Sequence, residues 1–178
     1  MSNNSTKVTH DFTEKMKRMG FQNPKKEHVF GSAKITGSYM CINHPKIRKV
    51  FVIGMKSLRT ELESVGIQVV GAEEHMFSPG EPIDMTSFEN YVLDPEVGAV
   101  VMGNDTSFTM SKLCIASLYI NQQNCKFVLT NTDKFTLING RQFPGTGTLL
   151  QGILISLKNK SYEVAGKPSP FTMELVQK

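Results

Sequence analysis

Val50-Phe51-Val52-Ile53-Gly54, then Leu58, Leu62 and Val65 at helical spacing before Gly66, then Gln68-Val69-Val70-Gly71, is the stretch whose reading decides the fold. The first run is apolar at every position, so neither face of that strand is meant for water. The middle segment repeats every three to four residues and covers one face of a helix. Together the three read as strand, helix, strand. Parallel strands need a crossover of this kind, and the helices it supplies bury both faces of the sheet.

The same rhythm continues outward. Ala99-Val100-Val101-Met102-Gly103 and Lys126-Phe127-Val128-Leu129 read as further buried strands, and Tyr162 to Val164 as a short last one. Helices are predicted over Met110 to Ile120 and Thr146 to Leu157, from about Phe88 to Val92, and from Pro170 onward. Upstream, Val8, Phe12, Met16 and Met19 recur at helical spacing, with Ser5 or Thr6 as N-cap and Gly20 as the stop. Glu73 to Met85 contains Pro79, Gly80 and Pro82 and reads as a loop. The class is α/β. Ligands in such folds collect beyond the carboxyl ends of the strands, which directs attention to Ser2–Lys7, Gly103–Phe108, Thr130–Ile138 and Gly166–Pro170.

With 178 residues, 39% hydrophobic and 20% charged, the chain can bury a core and is neither collagen-like, coiled-coil nor disordered. Its apolar runs are shorter than the roughly 18–20 residues that a membrane helix needs, so no membrane partner is expected. Met1 is followed at once by a polar run rather than a signal-peptide pattern, and the cytoplasm is the expected setting. Cys41, Cys114 and Cys125 are odd in number and widely spaced, which suits reduced thiols. The net charge of +4 comes from an excess of lysine and arginine in the first fifty residues. That excess suits an anionic partner. Few aromatics interleave with it, so a solvated helix face fits better than nucleic-acid binding.

Each candidate motif has an ordinary alternative. Ser2-Asn3-Asn4-Ser5-Thr6 offers hydroxyls, amides and helix-end N–H groups to a phosphate, and equally reads as a plain N-cap. Gly166-Lys167-Pro168-Ser169-Pro170 holds one lysine just past a buried strand, where it neutralises an anion or ends a turn in solvent. Pro144-Gly145-Thr146-Gly147 resembles a phosphate cradle but lacks the P-loop lysine, and a helix start is the better reading. His10, His28, His44 and His75 show no metal-ligand spacing.

In their order and at their distances, Ser2-Asn3-Asn4-Ser5-Thr6-Lys7, Val97 to Gly103, Thr130-Asn131-Thr132-Asp133, Pro144 to Gly147 and Gly166 to Pro170 resemble the haloacid dehalogenase superfamily. The likeness is to its 4-nitrophenyl phosphatase, phosphoglycolate phosphatase and pyridoxal phosphate phosphatase branch. It implies a large α/β cap, 46–161, flanked by pieces of a Rossmann-like core, 1–45 and 162–178. It further implies that Ser2, Asn3 and Asn4 hold a phosphoryl group, that Lys167 is the catalytic and phosphate-binding lysine, and that Asn131, Asp133 and Phe135 belong to a substrate-specificity loop. Phe135 stands where pyridoxal phosphate phosphatases carry histidine, so a phosphoglycolate-like or other small phosphomonoester is the expected partner.

The same resemblance implies Mg²⁺ and an attacking aspartate in a DxD motif, followed later by an acidic metal-binding motif. Neither is found between Met1 and Lys178. A covalent phosphoryl transfer needs those groups together. The expectation is therefore a truncated chain without metal ligands, inactive by itself, whose parent hydrolyses small phosphomonoesters through an aspartyl-phosphate. A non-catalytic binding module, or a homodimer formed through the cap, is the alternative.

Overall fold

The structure is a computed structural model that describes residues 2–3, 9–25, 28–71, 84–123 and 125–177. Five strands form one sheet in the order β2-β1-β3-β4-β7: β1 (Lys49–Ile53), β2 (Gln68–Val70), β3 (Val97–Met102), β4 (Lys126–Leu129) and β7 (Glu163–Val164). Every neighbouring pair is parallel. Helices α2 (Ser32–Asn43) and α3 (Lys56–Ser64) pack on one face, and α4 (Met110–Gln122) and α5 (Thr146–Ser156) on the other. Helices α1 (Thr9–Arg18) and α6 (Pro170–Gln177) lie near the two ends of the chain, and β5 (Phe135–Ile138) pairs antiparallel with β6 (Arg141–Pro144).

The continuous apolar runs are explained by strand alternation. Val50, Val52, Ala99, Val101 and Val128 point into the α2–α3 layer, where they meet Met40, Leu58 and Leu62. Phe51, Ile53, Val100, Met102, Phe127 and Leu129 point the other way, onto Ile115, Tyr119, Leu150 and Ile153. Each of those strand residues is nearly or wholly buried, so every position in the run contributes apolar area to one core or the other. Helix α2, upstream of Pro45, shares its face with α3, and β7, downstream of Ser161, completes the sheet beside β4.

Three local expectations need correction. No element was read between Gly20 and Pro45, yet α2 fills Ser32–Asn43. Its buried residues include Ser32, Ala33, Thr36 and Gly37, small side chains that leave no apolar stripe in the sequence, and Gly37 lets α2 approach α3 at the Glu61 carbonyl. Phe88 to Val92 is not a helix: a 3₁₀ turn runs over Met85–Phe88, with the Asp84 carboxylate accepting the Thr86 N–H at 2.9 Å. Part of the Thr130–Ile138 loop is strand β5, turned into β6 at Asn139-Gly140, both with positive φ. The loop over Glu73 to Met85 and the caps Ser5 and Thr6 fall mostly or wholly outside the described residues. The α1 stop is borne out, since that helix ends just before Gly20. No helix among the described residues is long and apolar enough to cross a membrane, and all three cysteines are free.

Candidate functional site

The carboxyl ends of β1, β3, β4 and β7 are locked in step by main-chain bonds that continue past the strands. Gly103 N–H donates to Ile53 O at 2.8 Å, Thr130 N–H to Met102 O at 2.8 Å, and Ala165 N–H to Leu129 O at 2.9 Å. Gly166 N–H then donates to Thr130 O at 3.1 Å. A side chain at Gly166 would run into that same Thr130 carbonyl, so the approach of the two loops requires glycine there.

Asn3 ties these loops together. Its side-chain Oδ1 accepts the Lys167 N–H at 3.1 Å. Its Nδ2 donates to the Lys167 carbonyl and to both Asp133 carboxylate oxygens, each at 3.2 Å. Its own carbonyl accepts from the Ser32 hydroxyl at 2.8 Å and from Asn131 Nδ2 at 3.0 Å. Asn131 is buried, and its Oδ1 accepts the Asp133 N–H at 3.1 Å, which sets the turn that presents Asp133. Ser2 is placed by a parallel bridge to Gly31, with its N–H donating to Phe30 O at 3.0 Å.

A cavity of about 630 Å³ opens beside this knot. Ser2, Asn3, Asn131, Asp133 and Phe135 all line it, so five of the residues singled out in the sequence share one space. Asp133 is the only acid among its described lining residues, and both its oxygens are engaged by Asn3. Lys167 is exposed and joins the site through its main chain; it is not among the residues lining the cavity. Among the described residues its ammonium has no partner and remains available to an anion. Asn4 lies outside the described residues.

Residues missed in the sequence complete the site. Asn104 and Thr106 line the cavity from the flagged loop after β3, but Met55, just past β1, carried no signal, and neither did Ser32, which holds the Asn3 carbonyl without lining the cavity. The loop after β3 is braced from behind. Lys112 Nζ donates to Asp105 Oδ2 at 2.7 Å and to Ser107 O at 2.8 Å, while Asp105 Oδ1 accepts the Ser107 N–H at 2.8 Å. The Pro144-Gly145-Thr146-Gly147 segment starts α5 and cradles protein rather than an open anion site: Gly145 N–H donates to Lys134 O at 3.0 Å and Gly147 N–H to Asp133 O at 2.9 Å. Side chains at either glycine would collide with the carbonyls of Asp133 and Thr132.

Behind the lysine turn, Glu163 of β7 accepts from the Tyr39 hydroxyl at 2.8 Å and pairs with His44 Nε2 at 2.6 Å. Burial works against the Glu163 carboxylate, but hydrogen bonds from His44 and Tyr39 and the charges of His44 and Lys126 outweigh it and hold its pKa below the ordinary 4.5. Burial, then the bond to Glu163, pushes the Tyr39 phenol up to about 12. Among the described residues no three His, Cys, Asp or Glu side chains gather as metal ligands. The chemistry on offer is neutral and cationic donation to an anion, next to a mostly uncharged wall.

Comparison with known proteins gives the chain relatives and a shared fold. A model of haloacid dehalogenase-like hydrolases matches residues 1–68. Glycerol-3-phosphate phosphatase of Rattus norvegicus is 33% identical over 99% of the chain and 56% of its own length. A 4-nitrophenylphosphatase of Schizosaccharomyces pombe is 32% identical over 99% and 58%, and phosphoglycolate phosphatase 1A, chloroplastic, of Arabidopsis thaliana is 33% identical over 98% and 48%. Among solved structures, a p-nitrophenyl phosphatase from Archaeoglobus fulgidus superposes with TM-score 0.76 at 20% identity, covering 98% of this chain and 57% of that one. A glycerol phosphate phosphatase from Mycobacterium tuberculosis, solved with magnesium, gives 0.76 at 22%, covering 98% and 46%. The chain is similar to haloacid dehalogenase-like hydrolases, and the curated relatives it matches are phosphatases. It spans about half the length of the curated relatives it matches.

Proposed function

We propose that this chain supplies the phosphate-holding loops and the substrate-contacting unit of a Mg²⁺-dependent phosphoric monoester hydrolase acting on a small phosphorylated metabolite of the phosphoglycolate or 4-nitrophenyl phosphate kind. The observation that carries the proposal is the convergence of Ser2, Asn131, Asp133 and Phe135 on one cavity, with the Lys167 turn fastened to its rim by Asn3. In this reading the Ser2 hydroxyl and the amides near Asn3 and Asn4 hold phosphoryl oxygens, and the Lys167 ammonium offsets their charge. Asn131, Asp133 and Phe135 face the leaving group. Residues 46–161 act as the cap, with 1–45 and 162–178 as parts of the core. The attacking carboxylate, the aspartyl-phosphate it forms and the Mg²⁺ ligands are assigned to the whole protein rather than to these residues, and the chain alone is inactive. Its free cysteines suit the reducing cytoplasm.

Two assays test this. The purified chain, given Mg²⁺ and 4-nitrophenyl phosphate, is expected to release no nitrophenol above the blank while still binding orthophosphate. Mg²⁺-dependent turnover would overturn the assignment of the nucleophile elsewhere. A second reading, a non-catalytic dimerising module, is favoured by the β5–β6 hairpin, where Phe135, Leu137, Ile138 and Phe143 are all exposed. It requires a dimer in sedimentation and no orthophosphate binding.

A further inference from the structure

Asn3 was expected to bind phosphate, but its side chain is already fully used. The carboxamide has one acceptor oxygen and two N–H donors. Oδ1 takes the Lys167 N–H, one donor fits the Lys167 carbonyl, and the other is shared between the Asp133 oxygens. Only one orientation of the amide satisfies all of these, because the reverse would set an oxygen against a carboxylate and a carbonyl. The bonds bridge 130 residues of sequence on one side and 164 on the other. Each end has its own anchor: Asp133 is set by Asn131, and the Lys167 turn by the Gly166–Thr130 bond.

We propose that the Asn3 side chain is a positioning strut, not a phosphate ligand: it locks the main chain of Lys167 to the Asp133 carboxylate, so that the loop facing the leaving group and the loop presenting the charge-offsetting lysine move as one unit. Only the purpose given to Lys167 rests on the phosphatase reading; the mechanical link does not. Occupation of the substrate-contacting loop is thereby felt at the lysine, since displacing Asp133 removes one of the partners that hold the Asn3 amide in register. A ligand role for Asn3 and a strut role make different statements about the phosphate-free chain. A ligand leaves the Lys167 N–H as it was when removed, and a strut exposes it.

Amide hydrogen exchange of the full 178-residue chain, without phosphate, separates the two. Asn3→Ala is expected to speed exchange at Lys167 about tenfold, the equivalent of one lost hydrogen bond, while Val101 in the core is unchanged. Asp133→Ala, a change at an exposed side chain, is expected to speed Lys167 as well although it does not touch that residue. Asn3→Asp, which sets two carboxylates face to face, should do the same, and adding Asp133→Asn should restore part of the protection by exchanging donor and acceptor on that side, the Lys167 carbonyl still lacking its donor. Fast exchange at Lys167 with rescue by the paired change supports the strut. Wild-type exchange at Lys167 in both Asn3→Ala and Asp133→Ala overturns it. Should Asn3→Ala fail to fold, Asp133→Ala and the paired change decide alone. Orthophosphate titration of the wild type is scored separately: no response removes the phosphatase reading of Lys167 and leaves the exchange result to judge the strut.

Discussion

Lys112→Met tests how the cavity wall is held. Lys112 and Asp105 are 9% and 2% exposed, so the pair has lost nearly all contact with water. At 2.7 Å and an effective dielectric of about 20 their gross attraction is about 6 kcal/mol, most of it offset by the cost of desolvating both groups. The net value of the pair is therefore small, but the cost of breaking it is not. Lys112→Met keeps the volume and leaves the Asp105 carboxylate buried with, among the described residues, only the Ser107 N–H to face, at a cost of about 3–5 kcal/mol. In a urea melt that loss moves the midpoint down by on the order of 1–2 M. Adding Asp105→Asn removes the stranded charge while keeping an acceptor for Ser107, and the double variant should recover at least half of the loss. The same melts should show the wall loosening, because Asn104 and Thr106 stand on the loop this pair braces. A single variant within about 1 kcal/mol of wild type, or a double variant whose loss is the sum of the two singles, would refute the reasoning.

Other expectations follow from the same geometry. Gly166→Ala must push the Thr130 carbonyl aside and is expected to cost more than the roughly 1 kcal/mol typical of point changes, read by thermal melting. Glu163 has a depressed pKa in the folded chain, so the stability it contributes is fully present above its ordinary 4.5 and is lost as the pH falls through the lower folded value; Glu163→Gln should flatten that acid limb in a pH series of melts. In a hydrolase containing this chain, replacing Phe135 should shift preference among phosphomonoesters while leaving the limiting rate on the best one within a fewfold, measured as kcat/KM ratios.

Much of the fold could be read from residues because strands buried on two faces must be apolar throughout, and Val50–Ile53, Ala99–Met102 and Phe127–Leu129 are. The same logic hid α2. A helix enclosed by neighbours shows no polar face, and its Ser32, Thr36 and Gly37 resemble loop residues until Gly37 is seen against α3 and Ser32 against Asn3. The β5–β6 hairpin was hidden for the opposite reason, since both its strands are exposed and neither alternates. Asn139-Gly140 was the signal that was not used: two successive residues with positive φ are what a tight hairpin requires. The site residues were legible as separate loops gathered at the carboxyl ends of strands. What joins them was not, because the bonds from Asn3 to Asp133 and to Lys167 depend on three loops meeting, and no spacing in the sequence encodes that.

The most direct test of the proposed phosphate-holding site is an amide-resolved NMR titration of the chain with orthophosphate, repeated on Lys167→Ala. The account predicts saturable shifts centred on Ser2, Asn3 and Lys167, absent or at least tenfold weaker in the variant. Shifts spread evenly over the lysine-rich first fifty residues, and unchanged by Lys167→Ala, would contradict it.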